Sequence, residues 1–310
     1  MLPIHRQGKI YQGLDSLPSG QASRKVTEGC LILEGGGWKG LYTLGVIDAM
    51  MSAGVNLRSC VGISAGALSG LSYLSGQIGW SVRIDLTYRH DPEYCGTGAL
   101  RRDHGITGFS YLFHDLAREH PIDMKRLRDP SRQLAVGATN LLTGRIEYFE
   151  KGKCDIFLAC QASATVPYVS RPVMIDGVPY LDGGCAEKIP LSWQGVQQAE
   201  KKVVVLTREV SYRRKPGLPR AAARLYRRYP NFVSALERVN GEFNDTVDRL
   251  ERQAAGGEIF LLAPSEHVTV GRFDGDMDKL AALYWLGWND TRARMPALME
   301  YLGIPAPSAP

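Results

Sequence analysis

Short, wholly apolar runs alternate along the chain with stretches where apolar residues return every three or four positions. Cys30-Leu31-Ile32-Leu33 predicts a buried strand that ends in a glycine loop. Over 40–51, Leu41, Leu44, Ile47 and Met51 fall at helical spacing, and Gly54 supplies a stop signal. A second strand is predicted at 59–63. It is followed by a helix at 65–74, whose Gly66, Ala67, Ser69 and Gly70 allow close packing on a sheet. Helices are expected at 81–89 and 109–119, with a loop across 91–108. Strands at 133–138 and 145–150 flank the turn Leu142-Thr143-Gly144, and a helix is expected at 155–163. Asp176-Gly177 between 173–175 and 179–181 is a type I′ hairpin signal. The clearest strand is 202–207, with Val203-Val204-Val205-Leu206. The last third reads as largely helical around a strand at 258–262, with late helices at 276–286 and 291–302.

Strands alternating with helices predict an α/β fold with a mostly parallel sheet covered on both faces. Ligand sites in such sheets lie at the carboxyl ends of the strands. The expected organisation is a lead-in over 1–28, a catalytic core over 29–208 and a mainly helical elaboration over 209–310, packed on the same domain.

Composition adds little beyond bounds. The 310 residues are 44% hydrophobic and 22% charged, enough for a large core. A net charge of +5 is too weak to argue for nucleic acid, and none is expected as a partner. The cysteines form no close CxxC pair, and neither an EF-hand loop nor an H-E-x-x-H pattern occurs, so neither metal nor cofactor is expected. The first residues lack the apolar core of a signal peptide and no apolar run approaches bilayer length. The expectation is a cytoplasmic protein, with peripheral contact to membranes left open.

Three motifs carry chemistry. Gly62-Ile63-Ser64-Ala65-Gly66 is a GxSxG pattern between a predicted strand and a predicted helix. A strand-to-helix elbow of this kind presents a nucleophilic serine, and its glycines remove side chains that would clash there. Gly35-Gly36-Gly37-Trp38-Lys39-Gly40 follows another strand. Its backbone N–H groups can converge on an anion, either an ester's oxyanion or a phosphate. It does not fit GxxxxGK[ST], because Gly40 follows Lys39. Asp182-Gly183-Gly184, at a strand end, offers a carboxylate able to take the Ser64 proton. An exposed carboxylate is a poor base toward a serine hydroxyl, and partial burial beside an acyl pocket improves the match. Asp182 is therefore expected to be partly buried and within hydrogen-bond reach of Ser64 Oγ. A triad of Ser64, Asp182 and His267 is the competing arrangement, although a glycine loop so close before the elbow does not suit an α/β-hydrolase. A second competitor is a loop that binds an acyl group or an anionic ligand without turnover.

The loop 35–40, the elbow 62–66, the stretch Ala162-Ser163-Ala164-Thr165-Val166-Pro167-Tyr168, and Leu181-Asp182-Gly183-Gly184 with Pro190 after it occur in that order. Together they resemble the patatin-like phospholipase family, over roughly residues 29–208. The resemblance implies a three-layer α/β/α fold and a Ser–Asp dyad without histidine. It also implies hydrolysis of lipid acyl esters of the lipase or phospholipase A type. By that resemblance Ser64 is the nucleophile and Asp182 the base. The loop Gly35, Gly36, Gly37 and Trp38 supplies oxyanion donors, and Lys39, Gly40, Gly62, Gly66, Gly183 and Gly184 support the motifs. The family's loop commonly carries arginine where this chain has Lys39, a point charge in place of a planar fork.

Two further features complete the reading. Arg213, Arg214, Lys215, Arg220, Arg224, Arg227 and Arg228 form a basic segment. On a helix starting at Pro219, positions 220, 224, 227 and 228 share a face, which reads as a solvated surface or as a patch for anionic lipid headgroups. Trp80, Tyr88, Phe109, Tyr111 and Phe113 read as core or as the lining of an acyl pocket.

Overall fold

A computed structural model describes residues 9–218, 221–271 and 273–305. Its centre is a sheet of eight strands: β1 (Thr27–Leu33), β2 (Leu57–Ile63), β3 (Gln133–Asn140), β4 (Ile146–Glu150), β5 (Val173–Ile175), β6 (Val178–Asp182), β7 (Lys202–Val205) and β8 (Phe260–Leu262). The order is β8-β7-β1-β2-β3-β6-β5, with β4 also on β3. The pairings from β8 to β3 are parallel. Those of β3 with β4 and β6, and of β5 with β6, are antiparallel. Helices cover both faces, giving a three-layer α/β/α arrangement.

The unbroken apolar runs of the central strands follow from this burial on both sides. In β1, Leu31 and Leu33 face one core with Leu41, Ile47 and Leu280. Cys30 and Ile32 face the other, with Trp193, Phe243 and Val247. In β7, Val203 and Val205 join the first core, and Val204 joins the second.

The longer helices are α1 (Gly40–Ser52), α2 (Ala65–Ser75), α3 (Trp80–Tyr88), α4 (Thr97–Asp103), α5 (Ile156–Ala164), α6 (Pro230–Ala255) and α7 (Met277–Tyr301). Helix α6 buries Phe232, Leu236, Val239, Phe243, Val247 and Leu250, a stripe at helical spacing. Helix α7 lies directly on α1. A side chain at Gly45 would collide with the backbone at Tyr284, and one at Gly287 with the Tyr42 carbonyl. Beside this contact the Tyr284 hydroxyl donates to buried Asp48 (2.9 Å) and the Tyr42 hydroxyl to Asp290 (3.1 Å).

Several expected elements differ. The predicted late helices are one continuous α7, because Gly287 and Asp290 are contact points with α1 and not a break. The loop expected across 91–108 contains α4. The helix expected at 109–119 is a π-helical turn, Tyr111–Leu116, followed by a short α-helical end. The two-residue hairpin is present, with Asp176 at φ 48° and Gly177 at φ 79°. The helix expected from Pro219 is only Ala222–Leu225, and Pro219 and Arg220 lie outside the described residues.

Candidate active site

Strand β3 brings the two chemical residues together. Its Gly137 pairs with Ile63, the last residue of β2, and its next residue, Ala138, pairs with Asp182, the last of β6. Residue Thr139 pairs with Leu181 and with Ile146, so β6 and β4 occupy opposite edges of β3. Strand β6 therefore takes over the β3 edge where β2 stops, and Ser64 and Asp182 emerge side by side. The Ser64 hydroxyl donates to Asp182 Oδ2 at 2.8 Å. Asp182 is half-buried.

Each partner is fixed independently. Ser64 sits at φ 56°, ψ −124° on the turn from β2 into α2. A non-glycine residue in that region carries about 1–3 kcal/mol of strain. Two close backbone approaches hold the turn. A side chain on Gly62 would collide with the Gly66 carbonyl, and one on Gly66 with the Leu33 carbonyl. The Ser64 N–H donates to Ser163 Oγ (2.8 Å), whose hydroxyl donates to the Gly137 carbonyl (2.6 Å). On the other side Asp182 Oδ1 accepts the Gly184 N–H (2.8 Å). The Asp182 carbonyl accepts the Thr139 hydroxyl (2.8 Å), and the Asp182 N–H donates to the Thr165 carbonyl (3.0 Å). One carboxylate oxygen is thus anchored and the other is turned to the serine.

The glycine loop passes against the elbow: a Cβ on Gly35 would lie 3.1 Å from Ser64 Cβ. Gly37, with φ 56°, starts the 3₁₀ turn Gly37–Lys39 that leads into α1. Among the four expected donors, Gly35 differs: its N–H is directed to the Lys188 carbonyl at 3.4 Å. Lys39 is buried. Beneath the loop lies Glu34, fully buried. It accepts the Thr207 N–H (2.7 Å) and faces Arg214 Nη2 at 3.4 Å. The Thr207 hydroxyl is shared between Glu34 (3.1 Å) and the Gly35 carbonyl (3.3 Å).

Ser64, Gly37 and Trp38 line a cavity of about 570 Å³. Its other walls are mainly apolar, among them Leu41, Leu68, Ile84, Phe109, Phe113 and Phe157. This volume is within the usual range for small-molecule sites, about 300–1,000 Å³. Trp80 also lines it, whereas Tyr88 and Tyr111 belong to an adjoining core cluster.

A family model described as patatin-like phospholipase matches residues 31–192, just over half the chain. The chain belongs to the patatin-like phospholipase family. A second model, described as a domain of unknown function, matches residues 229–303. An uncharacterized protein of Escherichia coli, YjjU, is 29% identical over 182 residues, covering 57% of this patatin-like chain and 51% of that one. An uncharacterized NTE family protein of Mycobacterium tuberculosis, Rv1063c, is 29% identical over 52% of the chain and 44% of its own length. Lysophospholipase nte1 of Aspergillus terreus is 27% identical over 51% of the chain and 10% of its own length. The chain spans about half the length, or less, of these curated relatives.

Other sequence-predicted residues of the patatin-like chain lie elsewhere. His267 is solvent-exposed, with Nδ1 2.7 Å from Glu209. The basic segment is not one surface. Arg214 turns inward, because the buried Glu34 charge requires a partner, and it stacks 4.6 Å from the Phe243 ring. Arg213 pairs with Asp248. Lys215, Arg224, Arg227 and Arg228 are exposed. Sequence reasoning assigned no role to Ser163, Glu34 or Thr207. A carboxylate closing an apolar run just before a glycine loop was the available signal for Glu34.

Ser163→Ala removes the acceptor of a buried N–H and is expected to cost roughly 1–3 kcal/mol of stability. A thermal melt of the variant beside the native chain checks it.

Proposed function

We propose that this chain is a serine acyl hydrolase that cleaves lipid acyl esters through an acyl-enzyme on Ser64, with Asp182 as its general base. The observation that carries the reading is the 2.8 Å hydrogen bond from Ser64 to Asp182 at the wall of an apolar cavity. Ser64 Oγ attacks the ester carbonyl carbon as its proton passes to Asp182 Oδ2. The N–H groups of Gly36, Gly37 and Trp38 receive the oxyanion, and the Gly35 N–H, directed at Lys188, is left out of this set. Collapse of the intermediate expels the alcohol, which takes the proton from Asp182. Water then gives a proton to Asp182 and attacks the acyl-enzyme, and the acid leaves as Ser64 recovers its proton. The apolar walls suit an acyl chain, and the family's name points to the same substrate class.

A fluorophosphonate probe tests the nucleophile. Ser64 should be labelled and the Ser64→Ala chain should not. An unlabelled native chain would leave the loop as a binding site without turnover. Activity against a lipid panel would then assign the class of ester.

The surface partner we propose is an anionic membrane. Lys215, Arg224, Arg227 and Arg228 are exposed, Leu225 among them is 59% exposed, and the Tyr168 ring packs 5.6 Å from Tyr226 beside it. Cations around an outward apolar side chain fit an anionic interface. Among the described residues no helix is long and apolar enough to cross a membrane. Flotation with phosphatidylglycerol vesicles should recover the chain, and phosphatidylcholine vesicles should not. Equal recovery from both, or full recovery of an Arg224→Glu, Arg227→Glu chain, rejects the patch.

A further inference from the structure

We propose that the C-terminal segment completes the acyl site: Phe273 sets the acyl chains the cavity takes, and Arg89 positions it while bracing Trp38 of the glycine loop. The inference rests on the cavity being the acyl site of the proposed hydrolase. Phe273 lines that cavity although it comes from the segment matched only to a domain of unknown function. It is 56% exposed, so it forms part of the rim and not of the core.

Three backbone carbonyls fix its position. Arg89, just past the end of α3, donates from Nη2 to the Phe273 carbonyl (2.9 Å) and from Nε to the Asp274 carbonyl (2.7 Å). His90 Nε2 lies 2.8 Å from the Gly275 carbonyl. The same guanidinium has its Cζ 4.7 Å from the centre of the Trp38 ring, which Tyr94 meets edge-on at 6.5 Å. Arg89 therefore holds the C-terminal loop through two N–H donors while its guanidinium lies over the Trp38 ring of the glycine loop, a set of contacts that a planar fork can make and an ammonium cannot.

The loop is held from its other end as well. Asp274 accepts from Lys279 Nζ (2.8 Å) and from the Gly271 and Asp276 N–H groups (each 3.2 Å). Lys279 is in the first turn of α7, the helix in backbone contact with α1, and α1 begins at Gly40, the last residue of the glycine loop. The chain of contacts runs from Trp38 through α1, α7 and Phe273 to Arg89 and back to Trp38. Held by its backbone at the rim, the Phe273 ring is part of the apolar lining of the cavity. A long acyl chain covers more of that lining than a short one, so loss of the ring is expected to fall more heavily on the long chain.

The test compares p-nitrophenyl palmitate with p-nitrophenyl butyrate on the full chain. Phe273→Ala should lower kcat/KM for palmitate roughly tenfold more than for butyrate. Arg89→Ala and Arg89→Lys should reproduce that shift and also lower kcat on both esters, because Trp38 loses its brace. Equal loss on the two esters in Phe273→Ala, or no loss, overturns the role of Phe273. An unchanged kcat in Arg89→Ala overturns the brace. Palmitate binding to the Ser64→Ala chain, followed by tryptophan fluorescence, reads the pocket without the dyad. Phe273→Ala in that background should weaken palmitate roughly tenfold. A failure of the dyad would leave this result intact, whereas unchanged palmitate affinity would refute the role of Phe273 alone.

Discussion

Asp182→Asn and Ser64→Ala are each expected to lower hydrolysis of a short p-nitrophenyl ester by about 10⁴-fold or more. Asparagine retains the shape of the carboxylate. Its oxygen can still accept the Gly184 N–H, now made by Oδ1 at 2.8 Å, and its amide would face Ser64 where Oδ2 now accepts the hydroxyl. An amide in that place has no capacity to take a proton, so geometry survives and chemistry is lost. Ser64→Ala removes the attacking oxygen without altering the elbow, whose strain belongs to the backbone at φ 56°. Both proteins should melt within a few degrees of the native chain. Because the two groups act as one unit, the double variant should be little worse than either single one. His267→Ala should leave the rate unaltered, since its imidazole is spent on Glu209 at the surface. The opposite result, activity retained in Asp182→Asn and lost in His267→Ala, would move the base to the histidine.

The parts of this site that the sequence made legible are those defined within a few residues. The elbow 62–66 and the loop 35–40 each join a strand to a helix, and glycine at a strand end has a local steric meaning. The partnership of Ser64 with Asp182 was reached by motif order. What places them together is the pairing of adjacent β3 residues with β2 and β6, which no local pattern encodes. Glu34 and Arg214 were legible only as isolated charges. Their bond crosses much of the chain, and the arginine therefore read as one more member of a basic surface. Phe273 was missed for a related reason: a lone aromatic in a polar loop shows no periodicity, and its meaning comes from Arg89 far upstream. In α7, Gly287 and the polar residues after it imitate a helix end. The glycine is there because α1 crosses at that point.

Gly183→Ala is expected to cost roughly 10²-fold in kcat, much more than Gly184→Ala, although the two glycines are neighbours in one motif. The difference is steric. A methyl on Gly183 would collide with the Gly137 carbonyl and lie 3.0 Å from Ile63 Cγ2. Both obstacles are parts of the sheet: Gly137 sits in β3 and Ile63 ends β2, directly before Ser64. Neither can yield without disturbing the elbow, so the 183–185 turn must move, and Asp182 must move with it. The Gly137 carbonyl also accepts the Ser163 hydroxyl that holds the Ser64 N–H, so the collision reaches the serine from a second side. A displacement near 1 Å is enough to lose about 10²-fold when a proton must pass along a hydrogen bond. A methyl on Gly184 would meet Asp182 Oδ1 at 3.0 Å, with Asp182 Cγ and Ile63 Cγ2 at 4.0 Å, so the carboxylate has to give by only a few tenths of an ångström, a smaller disturbance than the backbone collision at Gly183. The loss in Gly183→Ala should appear in kcat with KM nearly constant, because the cavity walls are untouched. Fluorophosphonate labelling of Ser64 should slow in parallel. Equal effects of the two alanines would mean that close packing of the turn against β3 does not set the position of Asp182.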